Sequence, residues 1–161
     1  LLVLKSLGIT PETVGAPIHA SMEVDEVGRL DNGSPVYVDR IGLKADGIIV
    51  GSRFYFYNIN AQTKTFIDRV GYLHMARGRK AFRNKVGGAI AVAGRSGLEN
   101  ALSQIALFLT AARMITVAPV VTVLASAKGD AVKDTRGIED ARELGRSMVQ
   151  IARATASLRG T

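Results

Sequence analysis

The chain has 161 residues, a size typical of one domain with a buried core, and its 47% hydrophobic and 22% charged residues argue against disorder. It contains no cysteine, which excludes disulfides and cysteine-ligated zinc or iron–sulfur clusters within these residues, and its two histidines, His19 and His74, are too far apart in sequence to indicate a metal site. The formal net charge of +7 allows anionic partners but selects none of them.

The first 46 residues predict an irregular N-terminal segment, and 47–161 predict one α/β domain. Leu1 to Leu7 is compatible with the last turns of a helix that stops at Gly8. The apolar opening is too short for a secretory signal, so we expect a cytoplasmic protein. The apolar window from Ala101 to Ala125 contains Gln104, Arg113 and Pro119. It therefore predicts a buried helix and strand rather than a membrane span.

Three continuous apolar runs predict strands that are covered on both faces: 47–51, 86–93 and 115–124. Pro119 is expected to end the third strand early, so we predict adjacent parallel strands at 47–51, 86–93 and 115–118, with the first beside the second.

Helical patterns separate and follow these runs. They cover Asn60 to about Tyr72 with Asn58 or Asn60 as N-cap, Gly97 to Arg113, and Gly137 to about Leu158 with Asp134 or Thr135 as N-cap. The alternation of strands and helices predicts a parallel sheet with helices on both faces.

In such a sheet, ligands bind beyond the carboxyl ends of the strands, and an unusual loop from Ser52 to Asn58 occupies that position. Its aromatic residues cannot all point into a core, so they favour a planar ligand with polar edges, such as a flavin or a nucleotide base. The alternative is that Phe54 and Phe56 pack inward while Tyr55 and Tyr57 lie on the surface.

A second loop at this edge, Ala93 to Gly97, opens a helix. Its two glycines permit close backbone approach, and the helix N-terminus suits an anion or a carbonyl oxygen. The alternative is a plain connection with Ser96 as the helix cap.

Together the two loops resemble a known family. Residues 45–69, ADGIIVGSRFYFYNINAQTKTFIDR, resemble the pattern ADGIIxGSPVYFGNxSAQxKxFIDR of the flavodoxin-like NAD(P)H-dependent FMN reductases. That group includes the iron–sulfur flavoproteins and is related to the WrbA-type quinone reductases. Residues 85–100, KVGGAIAVAGRSGLEN, resemble KVGAAIAVxRRxGGEN of the same family. The resemblance extends over about residues 45–149 and implies a flavodoxin-like fold.

The resemblance also implies an FMN-dependent oxidoreductase that takes a hydride from NAD(P)H and reduces a quinone, free flavin or similar acceptor. The consecutive aromatics and the nearly all-apolar helix over 98–112 leave more apolar surface than a small open sheet can cover, so we expect a homo-oligomer, either a dimer or a tetramer. The resemblance implies no catalytic acid or base from the protein. The residues implied to hold the flavin ring are Ser52, Arg53, Phe54, Tyr55, Phe56, Tyr57, Asn58, Ala93, Gly94, Arg95, Ser96 and Gly97.

Two kinds of departure from the family pattern affect the expected cofactor. Arg53 replaces a proline and Tyr57 replaces a glycine. The family's first strand and Ser/Thr-rich phosphate loop have no counterpart, so we expect a fold truncated at its N-terminus and weakly bound FMN. Alternatives are a flavin-binding electron carrier and a partial member that holds no cofactor.

A basic run lies between Arg77 and Lys85, within a stretch from Asp68 to Glu99 that contains no other acid. It is interpreted as a solvated loop, as a site for the 2′-phosphate of NADPH or an anionic acceptor, or as a nucleic-acid contact. The run lacks interleaved aromatics beyond Phe82, which argues against nucleic acid, and no membrane partner is expected.

Overall fold

The computed structural model describes residues 2–4 and 45–159. Its strands are β1 Leu2–Leu4, β2 Gly47–Tyr55, β3 Asn58–Ile59, β4 Val86–Ala93, β5 Ile115–Thr116 and β6 Val121–Leu124. Its helices are α1 Ala61–Ala76, α2 Leu98–Ala111 and α3 Thr135–Ala154, with 3₁₀ turns at Asp130–Lys133 and Ala156–Leu158. None of the helices in these residues is long and apolar enough to cross a membrane.

The central strands form the predicted parallel sheet. β2 pairs in parallel with β4, and β4 pairs in parallel with both β5 and β6. The placement of the first apolar run beside the second is confirmed. The third run differs from the prediction of one strand over 115–118, because it divides around the cis Ala118–Pro119 peptide bond into β5 and β6.

The N-terminal strand corrects another expectation. β1 pairs antiparallel with residues 47–49 of β2, so the helical interpretation of Leu1 to Leu7 is wrong at residues 2–4. Gly8 and the rest of the predicted irregular segment up to residue 44 lie outside the described residues.

The sheet is buried on both faces, as the unalternating strands predicted. On one face, Ile48 and Val50 lie in a cluster with Ile105 and Leu109 of α2. The other face buries a separate cluster under α3, formed mainly by Ile49, Val86, Val117, Val121, Val123, Leu144 and Met148. The α/β architecture with helices on both faces is therefore confirmed.

Two adjacent glycines let the helices approach β4 closely. A Cβ atom on Gly87 would lie 2.8 Å from Cδ2 of Leu109, and one on Gly88 would lie 2.9 Å from Sδ of Met148. Successive strand residues point to opposite faces, so the pair admits α2 on one side and α3 on the other.

The helix boundaries follow from their caps. Asn60 Oδ1 accepts a hydrogen bond of 2.7 Å from the Thr63 amide, so Asn60 is the N-cap of α1, which extends four residues beyond the predicted end. Asp134 caps α3, which begins at Thr135 and ends at Ala154, earlier than predicted at both ends.

Asp134 also joins α3 to the sheet. One of its carboxylate oxygens accepts from the Gly137 amide at 2.9 Å and the other from the Leu124 amide at 2.8 Å. The Gly137 bond, followed by the Leu124 bond, lowers the pKa of this carboxyl group, because amide donors stabilise its charged form.

His74 is a buried histidine in α1 and is only 3% exposed. Its Nδ1 accepts a hydrogen bond of 3.4 Å from the Phe82 amide, and the two rings are in contact. Burial lowers the pKa of His74, and the positive charges of Arg113 and Arg79 lower it further.

We expect His74 to make folding stability depend on pH. Its ordinary pKa is about 6.5, so below that pH the unfolded chain binds a proton that the folded chain resists. The free energy of unfolding should be highest above this pH and fall as the pH drops, by at most about 1.4 kcal/mol per unit for one group. Urea titrations between about pH 7 and pH 5 should show the slope in wild type and in His19→Gln, but not in His74→Gln. Equal slopes in all three proteins would assign the dependence to other groups.

Candidate functional site

The segment predicted as a loop from Ser52 to Asn58 is a β-hairpin. β2 continues to Tyr55, the chain turns at Phe56 and Tyr57, and β3 returns alongside β2 in antiparallel pairing. The two turn residues have φ angles of 45° and 65°, in the left-handed region that two-residue hairpin turns require. We call residues 52–59 the aromatic hairpin.

Three of its four rings face solvent. Tyr55 is 53% exposed, Phe56 is 99% exposed and Tyr57 is 74% exposed, while Phe54 packs against the core. The alternative in which Phe56 points inward is therefore wrong. The hairpin displays a set of aromatic surfaces that the fold does not need for its own core.

The base of the hairpin is held by Ser52, which is 4% exposed. Its hydroxyl donates to the Arg53 carbonyl at 2.8 Å and accepts from the Asn60 amide at 3.1 Å. Both partners are backbone groups, so the Ser52 hydroxyl connects β2 to Asn60, the residue that caps α1. The neighbouring Arg53 is exposed, and its Nη1 donates to the hydroxyl of Tyr55 at 3.3 Å.

The second predicted loop follows β4 at the same edge of the sheet. Ala93 is buried at the strand end, whereas Gly94, Arg95 and Ser96 are exposed. Gly97, with a φ of 88°, is the N-cap of α2, and no side chain caps this helix end. The alternative in which Ser96 is the cap is therefore wrong, and the amide end of α2 remains open to an acceptor.

The structure brings the two loops together. Gly97 lies against the ring of Phe54, since a Cβ atom at Gly97 would be 2.3 Å from Phe54 Cζ. Asn100 donates from Nδ2 to the Tyr57 carbonyl, and Gln104 donates from Nε2 to Asn58 Oδ1. Sequence reasoning missed this function of Asn100 and Gln104, although a glutamine within an apolar helix was a signal for it.

A third loop, residues 125–129, also lies at this edge and was missed. The Ala125 amide donates to the Ala93 carbonyl at 2.9 Å, and the Ser126 hydroxyl lies 3.5 Å from the Gly94 carbonyl. Asp130 closes the loop by accepting from the Ala127 amide. The hydrogen bond from Lys133, and then that from Ala127, lower the pKa of Asp130. The position of this loop after the third apolar run could have indicated it.

The basic run from Arg77 to Lys85 precedes β4 and lies at the opposite edge of the sheet. The eight residues of β4 separate the two edges by about 26 Å at the usual rise of a strand. This distance argues against contact between the run and the 2′-phosphate of a nucleotide bound at the hairpin. Among residues 2–4 and 45–159, no group of three or more His, Cys, Asp or Glu side chains could hold a metal ion.

We expect Tyr57→Gly to stabilise the fold. A tyrosine in the left-handed region is strained by about 1–2 kcal/mol, and glycine removes that strain while keeping the carbonyl that Asn100 binds. After the entropic cost of glycine, the free energy of unfolding should rise by about 0.5–1 kcal/mol in urea titrations. Tyr57→Ala is the matched control, because it removes the ring and keeps the strain. An equal gain in both variants would contradict this explanation.

Comparison with known proteins decides the family. The family model for NADPH-dependent FMN reductase matches residues 39–129, a range that contains both loops of the site. The chain belongs to this family. The match confirms the resemblance found in the sequence. The aromatic hairpin and the loop before α2 both lie within the matched range.

Two relatives of this FMN reductase family member are iron–sulfur flavoproteins of Methanocaldococcus jannaschii. One is 37% identical over 119 residues, which cover 68% of this chain and 60% of the relative. The other is 41% identical over 75 residues, which cover 45% of this chain and 37% of the relative. The chain thus spans three fifths or less of these curated relatives. Its 161 residues include no cysteine, the residue type that usually ligates iron–sulfur clusters.

Solved structures confirm the flavodoxin-like fold. A WrbA-like flavodoxin from Agrobacterium tumefaciens superposes with a TM-score of 0.64 at 20% identity, covering 82% of this chain and 79% of that one. An archaeal flavodoxin superposes with a TM-score of 0.56 at 21% identity, covering 73% and 72% of the two chains.

Proposed function

We propose that the chain is an FMN-dependent NAD(P)H oxidoreductase that reduces a quinone, free flavin or similar acceptor. The observation that carries this proposal is the aromatic hairpin tied to the loop of residues 93–97 at the carboxyl edge of the sheet. When bound, FMN supplies the redox chemistry, accepting a hydride from a reduced nicotinamide and passing electrons to a second substrate.

The residues at this edge suit the ring of a flavin. Tyr55, Phe56 and Tyr57 offer exposed aromatic faces, and an aromatic ring that stacks contributes about 0.5–1.5 kcal/mol beyond the area it buries. Gly94 is exposed and has no side chain, and the uncapped amides of α2 suit a carbonyl or anionic edge. Ser52, Asn58 and Ala93 support the site through their internal hydrogen bonds.

Exposed charge near the two loops would bind and orient anionic groups. Arg53 and Arg95 lie on the hairpin and on the loop before α2, and both are exposed. We assign no catalytic acid or base to the protein, because the electron transfers belong to the cofactor. The chain stacks aromatic rings on the flavin, donates hydrogen bonds to its polar edge and leaves one face of the site accessible.

The helix N-termini of the described residues offer the phosphate of FMN a poorer site than the two loops offer its ring. Within residues 45–159, the N-termini of α1 and α3 are closed by the side chains of Asn60 and Asp134, and Asp134 adds negative charge. The N-terminus of α2 has no side-chain cap, but it lies at the part of the site that we assign to the flavin ring. We therefore propose weak retention of FMN, and affinities for FMN and riboflavin within about one decade of each other.

The experiment is an anaerobic titration of the chain and added FMN with NADH and with NADPH, followed by flavin absorbance. We expect binding of FMN and bleaching of its absorbance by at least one nicotinamide. Binding without bleaching would favour the electron-carrier alternative. Failure to bind FMN or riboflavin would contradict the proposal.

We also propose that the chain works in the cytoplasm as a homo-oligomer, a dimer or a tetramer. The support is the exposed apolar surface of Phe56 and Tyr57 on the hairpin and of Leu107, which is 69% exposed on α2. Light scattering at micromolar concentration tests the assembly, and a monomer would contradict it.

A further inference from the structure

A basic face lies at the edge of the sheet opposite the candidate flavin site. It consists of exposed cationic side chains from the turn after α1 and from the turn after α2: Arg77, Arg79, Lys80, Arg83 and Arg113. The backbone N–H of Asn84 donates to the backbone carbonyl of Arg113 at 3.0 Å, and this bond joins the two turns. Arg79 and Arg113 both act electrostatically on His74, so their charges converge on one region.

The described part of the chain places few opposing charges on this face. Within residues 45–159, Arg79, Lys80, Arg83 and Arg113 form no ion pair with a carboxylate. The Asp46 carboxylate at the same edge is engaged by Arg159 at 3.0 Å. Like charges that cluster on one face attract an anionic partner, and their mutual repulsion destabilises the isolated chain.

Exposed apolar side chains adjoin this charge. Tyr72 is 75% exposed and Met75 is 63% exposed, and their spacing of three residues places them on one side of the last turns of α1. Tyrosine, methionine and arginine are the residue types enriched at protein–protein interfaces, whereas lysine is depleted there. Four arginines and one lysine make up the charge of this face.

We propose that the basic face, with Tyr72 and Met75, docks an acidic surface of another protein. A second copy of this chain is a poor occupant, because a two-fold contact would place the same cations against each other. The acidic residues Glu139 and Glu143 on α3 do not offer a complementary surface, because they already pair with arginines of their own helix. The proposal does not depend on flavin binding.

The test compares two variants of the full chain that lose the same number of charges. The first combines Arg79→Gln, Arg83→Gln and Arg113→Gln. The control combines Lys128→Gln, Arg136→Gln and Arg153→Gln, which change exposed cations elsewhere. Fluorescence anisotropy measures binding of labelled poly-L-glutamate at low salt, and thermal melting verifies that each variant folds. We expect about tenfold weaker binding for the first variant and less than about twofold for the control.

A third variant tests the apolar side chains. Tyr72→Ser with Met75→Ser should weaken binding of a Glu- and Leu-containing helical peptide by about fivefold and leave binding of poly-L-glutamate unchanged. Equal losses in the first variant and the control, or no binding by wild type, would overturn the proposal. Tighter binding of duplex DNA or of phosphatidylserine vesicles than of the acidic peptide would also overturn it, and would identify the occupant as nucleic acid or membrane.

Discussion

Replacing Gly97 with alanine is expected to lower the free energy of unfolding by about 3 kcal/mol and to weaken flavin binding at least about tenfold. Gly97 has a φ of 88°, where a side chain is strained, and its new Cβ would lie 2.3 Å and 2.6 Å from two ring carbons of Phe54. Phe54 packs against the core, so a shift of its ring would disturb the hairpin. The substitution therefore separates the two loops that form the site.

Two further variants separate the effect of the φ angle from the effect of the contact with Phe54. Gly129→Ala has nearly the same backbone angle, with φ of 89° and no atom within 4 Å of the new Cβ, so it should cost only about 1 kcal/mol. Adding Phe54→Val, the residue in the family pattern, to Gly97→Ala should recover part of the stability. Urea titrations give the free energies. Equal losses in the two single alanine variants would show that the angle alone matters and that the contact with Phe54 does not.

The second large effect is expected where β2 and β4 begin. A Cβ atom on Gly47 would lie 2.3 Å from Cγ2 of Val86 and 2.7 Å from the Val86 carbonyl oxygen. Gly47 is paired with Val86 in the parallel ladder, and a backbone atom cannot move aside as a flexible side chain can. Gly47→Ala should therefore cost about 3 kcal/mol of stability and loosen the strand pair that positions both loops.

Gly51 provides a control on the same strand. The nearest atoms to a Cβ there are 3.9 Å away, in Ile90, so Gly51→Ala should leave stability unchanged or raise it by up to about 1 kcal/mol. If thermal and urea unfolding showed similar stabilities for the two variants, the close approach at Gly47 would not be a determinant of this sheet.

The sequence predicted much of the sheet, because unalternating apolar runs are a strong signal for strands that are covered on both faces. It predicted the end of the first strand too early. The predicted run ends at Gly51 and the next two residues, Ser52 and Arg53, are polar, yet the strand continues to Tyr55. The break of the third run was anticipated at Pro119, but the second piece, β6, was not.

The hairpin could not be predicted from local patterns. Two-residue turns with positive φ favour asparagine and glycine, whereas this turn consists of Phe56 and Tyr57. Its geometry depends on tertiary contacts, namely the bonds from Asn100 and Gln104 and the packing of Phe54 against Gly97. Such contacts join residues more than 40 positions apart, which periodicity does not reveal.

Backbone amide chemical-shift mapping during a titration with FMN tests most directly whether the hairpin and the loop before α2 hold the flavin ring. We expect the largest shifts in residues 52–58 and 93–97, with smaller ones in the neighbouring loop 125–129 and none in the basic run from Arg77 to Lys85. Riboflavin should give nearly the same pattern, since the ring makes the main contacts. Largest shifts in the basic run, or a pattern that leaves the hairpin unaffected while FMN binds, would contradict this site.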